Sequence, residues 1–246
     1  MTSLRYEDSG GARIAYRHRA GSGPTVVFLP GYMSDMTGSK AEALDAWAAA
    51  TGRDYLRLDY SGCGVSGGSF DDGSIGRWTA DTLAVIGAVT QTPPILVGSS
   101  MGGWIALRVA LAGPVAALVG IAAAPDFTEW GLALTGVDRA ALAEQGFIER
   151  PSDYGDAPYR YSAALLEDAP AQRVMHGPVA VDCPVRLLHG QADTDVPWRL
   201  SLDLAERLRS PDVQVTLVKD GDHRLSRLQD LALLVATLDA LLEELP

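Results

Sequence analysis

The run Gly98-Ser99-Ser100-Met101-Gly102-Gly103 constrains this chain more than any other stretch. A short apolar segment, Pro94-Ile95-Leu96-Val97, precedes it and reads as a strand, and Trp104 to Ala112 follows it and reads as a helix. Ser100 therefore falls on a sharp strand-to-helix turn, a nucleophile elbow, with its hydroxyl above the sheet edge. A residue held there in a strained backbone region leaves no room for a β-carbon two positions before or after it. Gly98 and Gly102 supply those gaps, and Gly103 lets the helix approach its neighbours. Gly-x-Ser-x-Gly alone is a weak pattern; the strand before it and the helix after it give it weight.

The remaining chain supplies the sheet that such a turn needs. Leu4–Glu7 and Arg13–Arg17 read as a hairpin around Ser9-Gly10-Gly11. Strands follow at Thr25–Leu29, Tyr55–Asp59, Ile95–Val97, Val115–Ile121, Val185–His189 and Val213–Val218. Helices are expected at Ala41–Ala50, Ser74–Val89 with Ser74 as N-cap, Trp198–Leu208 and Leu225–Leu242. This alternation predicts an α/β fold: a mostly parallel sheet with helices on both faces and the opening hairpin as an antiparallel edge. Ala124 to about Asp182 breaks the rhythm; it is richer in Trp, Tyr, Phe and Pro, with helix-like pieces near Asp138–Gln145 and Ala163–Asp168. Placed between two central strands, it would lie over the carboxyl ends of the sheet, where open α/β sheets bind ligands. A chain of 246 residues is thus read as one domain, 1–246, with a cap insertion at about 125–182.

A serine hydroxyl is a poor nucleophile at neutral pH. It needs a base to take its proton and a third group to orient that base. An elbow serine predicts the order Ser, then Asp or Glu, then His along the chain. Four histidines are available. His18 ends an edge strand and reads as a solvated surface residue; His176, at the end of the insertion, reads as a structural or surface residue, with substrate contact as the alternative. His189 sits at a strand end and would support the loop after it. His223, in Asp220-Gly221-Asp222-His223-Arg224 after the last strand, remains as general base, with Gly221 allowing a turn. The acid lies in His189-Gly190-Gln191-Ala192-Asp193-Thr194-Asp195-Val196-Pro197. Asp193, at the first bend beyond the strand, is favoured over Asp195, which would cap the next helix or stabilise the loop. Asp222 reads as a solvated loop residue. The oxyanion hole takes two backbone N–H groups, from Met101 after the nucleophile and from Tyr32 in the Pro30-Gly31-Tyr32 loop.

Net charge is −11, which argues against a nucleic-acid partner, because phosphate binding needs clustered Lys and Arg. No apolar stretch reaches the roughly 18–20 residues of a membrane span, so no stable membrane insertion is expected. The start of the chain carries neither an apolar signal run nor a transit peptide, which makes the cytoplasm the expected location. Cys63 and Cys183 read as reduced, partly buried thiols, and no metal-ligand spacing is present. Asp59-Tyr60-Ser61-Gly62-Cys63-Gly64-Val65-Ser66 lacks the Gly-Lys-Ser/Thr ending of a phosphate loop and reads as a structural turn. No cofactor and no metal are expected.

These residues make the chain resemble the α/β-hydrolase superfamily over nearly its full length. A closer resemblance, to mitochondrial palmitoyl-protein thioesterases of that superfamily, is carried by several long runs. They are Phe28 to Ala41, Arg57-Leu58-Asp59-Tyr60-Ser61-Gly62, Leu96 to Trp104, Cys183 to Gly190, and Asp222-His223-Arg224. The resemblance implies an eight-stranded α/β-hydrolase fold, hydrolysis of esters and thioesters, and Ser100, Asp193 and His223 as the triad. The missing mitochondrial leader suggests a bacterial cytoplasmic relative instead. The insertion is the least recognisable part, and it is where acyl-chain preference would be set. Its aromatics Phe127, Trp130, Phe147, Tyr154, Tyr159 and Tyr161 are candidates for an acyl pocket, Phe127 and Trp130 foremost. The expected partner is a small-molecule ester or thioester, or an acylated protein. The alternatives are a non-catalytic binding protein on the same fold, acyl transfer, or peptide hydrolysis.

Overall fold

The computed structural model describes residues 2–152 and 157–245. An eight-stranded sheet forms the centre. In chain order its strands are β1 (Leu4–Ser9), β2 (Ala12–Arg19), β3 (Ser22–Leu29), β4 (Arg53–Leu58), β5 (Ile95–Ser99), β6 (Ala117–Ile121), β9 (Val185–Gly190) and β10 (Val213–Val218). Their spatial order is β1-β2-β4-β3-β5-β6-β9-β10. From β4 to β10 every pairing is parallel, while β1 and β2 form the antiparallel edge expected of the opening hairpin.

The central strands carry short apolar runs, such as Val26–Leu29 and Ile95–Val97, because both of their faces are buried, and successive residues take opposite sides. Val27 and Leu29 of β3, Leu96 of β5 and Leu118 of β6 join one core cluster, with Trp78, Trp104, Ile105 and Leu204. Val26 and Phe28, Ile95 and Val97, and Val119 and Ile121 join the other, with Leu44, Trp47, Leu238 and Leu241. Helices α2 (Ile75–Val89), α3 (Met101–Ala112) and α7 (Arg199–Arg207) thus cover the first face, and α1 (Ser39–Thr51) and α8 (Leu228–Glu244) the second. Each fully buried aliphatic side chain contributes roughly 1.5–3 kcal/mol relative to exposure, so the layering follows from the apolar alternation. Ser74 caps α2 as expected, accepting from the Arg77 amide at 3.2 Å.

Between β6 and β9 the chain leaves the sheet and forms α4 (Phe127–Trp130), α5 (Gly136–Gln145), β7 (Phe147–Arg150), β8 (Tyr159–Ser162) and α6 (Ala163–Gln172). Asp126 closes the base of this segment. Its buried carboxylate accepts from the amides of Val174 and Met175, at 3.0 and 2.9 Å, so the outgoing and returning chain meet at one side chain. The sequence reading gave this segment helices alone, yet β7 and β8 pair as an antiparallel two-stranded sheet. The Tyr-Arg-Tyr-Ser alternation of β8 carried that signal, but four-residue strands are too short to stand out from an aromatic-rich loop. Arg160 of β8 anchors the pair to the sheet body through two 2.7 Å hydrogen bonds to Asp71 in a 3-10 turn, Phe70–Asp72. Tyr154 lies outside the described residues. Among the described residues, no helix is long and apolar enough to cross a membrane.

Candidate active site

Ser100 stands between β5 and α3 with φ 53° and ψ −119°, a conformation that costs a non-glycine residue about 1–3 kcal/mol. The surrounding backbone holds it there. Its amide donates to Ile121 O at 2.9 Å, and its carbonyl accepts from the amides of Gly103 and Ala124 at 2.9 and 3.1 Å. The glycines around it are needed for close approach. A β-carbon on Gly98 would lie 2.3 Å from Gly102 O, and one on Gly102 would lie 2.1 Å from Leu29 O. Both obstacles are backbone atoms of packed strand and helix, which cannot swing aside.

Gly102→Ala is therefore expected to destabilise the fold by about 3 kcal/mol or more, which lowers Tm by roughly 6–12 °C for a chain of this size. It should also displace the Leu29–Pro30 backbone that leads into the Tyr32 loop. Thermal unfolding followed by circular dichroism checks this; a Tm within about 2 °C of the parent would contradict it.

The Asp193 and His223 loops meet through two further glycines. Gln191 N donates to Val218 O and Ala192 N to Gly221 O, at 2.8 and 2.9 Å. A β-carbon on Gly190 would lie 2.1 Å from Gly221 O, and one on Gly221 would lie 3.0 Å from the Gly190 α-carbon. Gly221 closes the expected turn, its amide donating to Val218 O at 3.1 Å. It is not among the glycines at positive φ, so contact between the two loops, rather than a left-handed conformation, excludes a side chain there.

This contact brings the residues into line. His223 Nε2 lies 3.1 Å from Ser100 Oγ, and His223 Nδ1 lies 2.8 Å from Asp193 Oδ2. The Asp193 side chain is fully buried, whereas that of His223 keeps 13% exposure toward the cavity above. Asp193 Oδ1 accepts from the amides of Asp195 and Val196, both at 2.8 Å, and Oδ2 accepts a second imidazole, His189 Nε2, at 3.1 Å. Burial pushes this carboxyl up, but the bonds from His189 and His223, with the Val196 amide, outweigh burial and hold it below the usual range. Asp193, Asp195 and His223 have ligand atoms within 4.8 Å of one another, the spacing of a metal site. Asp193 already accepts from two amides and two imidazoles, and both His223 nitrogens have partners, so the donor set fits a hydrogen-bonded chain better than a cation.

The Tyr32 loop passes close beside the elbow. A β-carbon on Gly31 would sit 3.3 Å from Ser99 O, so glycine permits that approach. Tyr32 and Met101 both line the cavity with Ser100 and His223. Met101 opens α3, where an amide has no intrahelical acceptor. The Tyr32 ring is fixed from all sides: it stacks on Tyr161 at 5.2 Å, meets Phe70 edge-on at 5.3 Å, and its hydroxyl donates to Arg160 O.

The cavity has a volume of about 810 Å³. Phe127, Trp130, Tyr159 and Tyr161 line it, as the sequence reading proposed. Phe147 does not; the Arg160 guanidinium lies over its ring instead. Phe127 also meets Trp104 edge-on at 5.7 Å, whereas Trp130 is 38% exposed and its indole donates to Pro125 O at 2.8 Å. Lys40 and Arg224 add cationic character that sequence reasoning missed; both lie in the runs that carry the resemblance, but no role was assigned to either. Burial and the facing Arg224 pull the Lys40 amine down to about 8.

A match to the model described as "Alpha/beta hydrolase family" covers residues 26–243. The chain belongs to the alpha/beta hydrolase family. It is 41% identical over 237 residues to the mitochondrial palmitoyl-protein thioesterase ABHD10 of Mus musculus, covering 94% of this chain and 80% of that relative. Among solved structures it is similar to a putative hydrolase from Agrobacterium vitis S4, with 44% identity, a TM-score of 0.93 and 98% of each chain covered. It is similar as well to alpha/beta hydrolase domain-containing protein 10 from mouse, with 38% identity, a TM-score of 0.90, and 98% of this chain and 99% of that one covered. The mitochondrial location in the mouse relative's name contrasts with the cytoplasmic expectation from sequence.

As a member of the alpha/beta hydrolase family the chain departs from its sequence reading at several side chains. His18 is not solvated; it is half-buried and 3.0 Å from an Asp54 oxygen. Asp195 does not cap α7, whose N-cap is Trp198, because the Asp193 carboxylate closes this turn and leaves Asp195 on the cavity wall. Asp222 is exposed as expected, but it also accepts from the Leu225 amide at 2.9 Å and closes the turn after His223. His176 is exposed, in keeping with its surface reading, and does not line the cavity. Cys63 and Cys183 are free thiols. The Asp59 loop is a structural turn around a buried carboxylate that accepts from the amides of Met36 and Val65, at 2.7 and 2.9 Å.

Proposed function

We propose that this chain is a serine hydrolase that cleaves carboxylic esters or thioesters through an acyl-enzyme. One observation carries the reading: His223 bridges the Ser100 hydroxyl and the Asp193 carboxylate through its two ring nitrogens, at 3.1 and 2.8 Å. A chain with that alignment performs base-assisted acyl transfer. Ser100 Oγ attacks the substrate carbonyl while its proton passes to His223 Nε2. Asp193 holds the imidazole with Nδ1–H toward the acid and stabilises the imidazolium. The amides of Tyr32 and Met101 receive the negative charge on the carbonyl oxygen. The alcohol or thiol leaves with the proton from His223. Water then attacks the acyl-enzyme, giving one proton to His223, which returns it to Ser100 as the acid departs. General acid–base help of this kind contributes about 10²–10⁴ in rate. Relatives named palmitoyl-protein thioesterase support a thioester as one substrate class.

The segment between β6 and β9 serves as a cap, and its aromatic wall receives the acyl chain. The test is a profile of kcat/KM over acyl-chain length, with p-nitrophenyl esters and matched thioesters. Saturable turnover of both leaving-group types is expected; no turnover of any of them between about pH 6 and 9 would overturn the reading. Trp130→Ala should change the ratio of long-chain to short-chain kcat/KM by about tenfold. Phe127→Ala should act in the same direction, but it also loosens packing on Trp104. Unchanged ratios in both variants would remove these two residues from the pocket.

A further inference from the structure

Asp193 carries a second imidazole whose presence the proposed reaction does not require. His189 is fully buried at the end of β9, and its Nε2 faces only acceptors: Asp193 Oδ2 at 3.1 Å and Val196 O at 3.2 Å. Nε2 must therefore carry the hydrogen. Its Nδ1 lies 2.7 Å from the Oγ of Ser201, itself buried in the first turn of α7. With Nε2 protonated, Nδ1 of the neutral ring accepts, and the Ser201 hydroxyl donates to it. The same Asp193 oxygen thus receives two imidazole N–H groups, one from each side.

We infer that His189 and Ser201 are positioning residues for the proposed hydrolysis: Ser201 fixes the His189 tautomer, and His189 fixes the rotation and basicity of Asp193. This rests on the triad reading above. The physical argument is directional. Asp193 Oδ1 is pinned by two amides of its own loop, so only Oδ2 can set the direction of its bond to His223. A second rigid donor on Oδ2 keeps that oxygen in the imidazole plane. It also withdraws negative charge from the bond to His223. Removing it makes Asp193 a stronger acceptor, which favours the His223 imidazolium in the free enzyme.

Two variants test this on the whole chain. His189→Phe keeps a planar aromatic ring, slightly larger than imidazole, and removes both ring nitrogens; Ser201→Ala removes only the hydroxyl. For His189→Phe, kcat on a p-nitrophenyl ester is expected to fall about tenfold to a hundredfold with KM little changed. The acid limb of kcat/KM should move to higher pH by about half a unit or more. His189→Gln, which can keep an N–H toward Asp193, should restore the limb. Ser201→Ala should lower kcat several-fold and shift the downfield proton resonance of the His223–Asp193 bond. Among the described residues, the other charged groups that line the cavity with His223 or adjoin it in sequence are Asp35, Lys40, Arg150, Asp195, Asp222 and Arg224, and none changes in these variants. A folded His189→Phe with an unmoved acid limb would overturn the inference, because a purely structural role lowers activity at all pH values alike. If that variant does not fold, parental kcat and an unmoved resonance in Ser201→Ala do the same. Fluorophosphonate labelling of each variant separates the two levels: retained labelling that depends on Ser100, with an unmoved limb, rejects the positioning role alone. Labelling that persists in Ser100→Ala rejects the triad itself.

Discussion

Replacing Ser100 with alanine is expected to lower kcat on a p-nitrophenyl ester by about 10⁴–10⁶ and to abolish labelling by a fluorophosphonate probe. The hydroxyl is the only part of the residue that faces His223, and alanine still occupies the strained turn through the same backbone bonds. Fold and stability should therefore be near parental, and the loss should be chemical. A residual rate of about 10³ over water would remain from oxyanion binding and substrate placement. Single-turnover kinetics and probe labelling, measured beside a thermal melt, check this. Labelling at the parental rate in a folded Ser100→Ala would remove Ser100 from the chemistry.

Asp193→Asn should be nearly as severe, about 10⁴ in kcat, for a reason specific to this carboxylate. Its two oxygens accept from four donors, two loop amides on Oδ1 and two imidazoles on Oδ2. Asparagine has one acceptor oxygen and one NH₂ group. The loop amides cannot change, so the oxygen stays with them and the NH₂ turns to the histidines. His223 must then accept at Nδ1, which puts its hydrogen on Nε2 and faces an N–H toward Ser100 Oγ. The serine loses its base. A His223 tautomer shift seen by nitrogen NMR should accompany the rate loss. A variant that keeps parental kcat would show that the carboxylate charge and its tautomer control are dispensable.

Much of the fold was legible because it follows from backbone period. Ile95–Val97 is uniformly apolar and Thr25–Leu29 nearly so, which a strand buried on both faces requires, and each leads toward a helix or a glycine turn. The elbow was legible because its glycines answer a local steric demand at Gly98 and Gly102. What stayed hidden depends on side chains distant in sequence. The β7–β8 pair was missed because each strand is only four residues long. The Arg160–Asp71 anchor joins residues with no local pattern. Lys40, in the first turn of α1, and Arg224, beside His223, stand in runs that carry the family resemblance, but nothing local shows that both side chains reach the same cavity.

The sequence alone determined the alternating strand–helix architecture, the strained serine turn, and the order of serine, acid and histidine along the chain. Those properties are set by neighbours within a few residues, through periodicity, steric gaps and turn chemistry. Tertiary structure decided which acid meets the histidine. The position of Asp193 at the first bend beyond the strand favoured it over Asp195, but its bond to His223 exists only because the two loops pack at Gly190 and Gly221 and two loop amides orient the carboxylate, with Asp195 left on the cavity wall. It also decided that His189 faces the same carboxylate, with Ser201 behind it. Hydrogen-bond direction is a property of three-dimensional placement at ångström scale, so it came into being only when β9, β10 and α7 packed together.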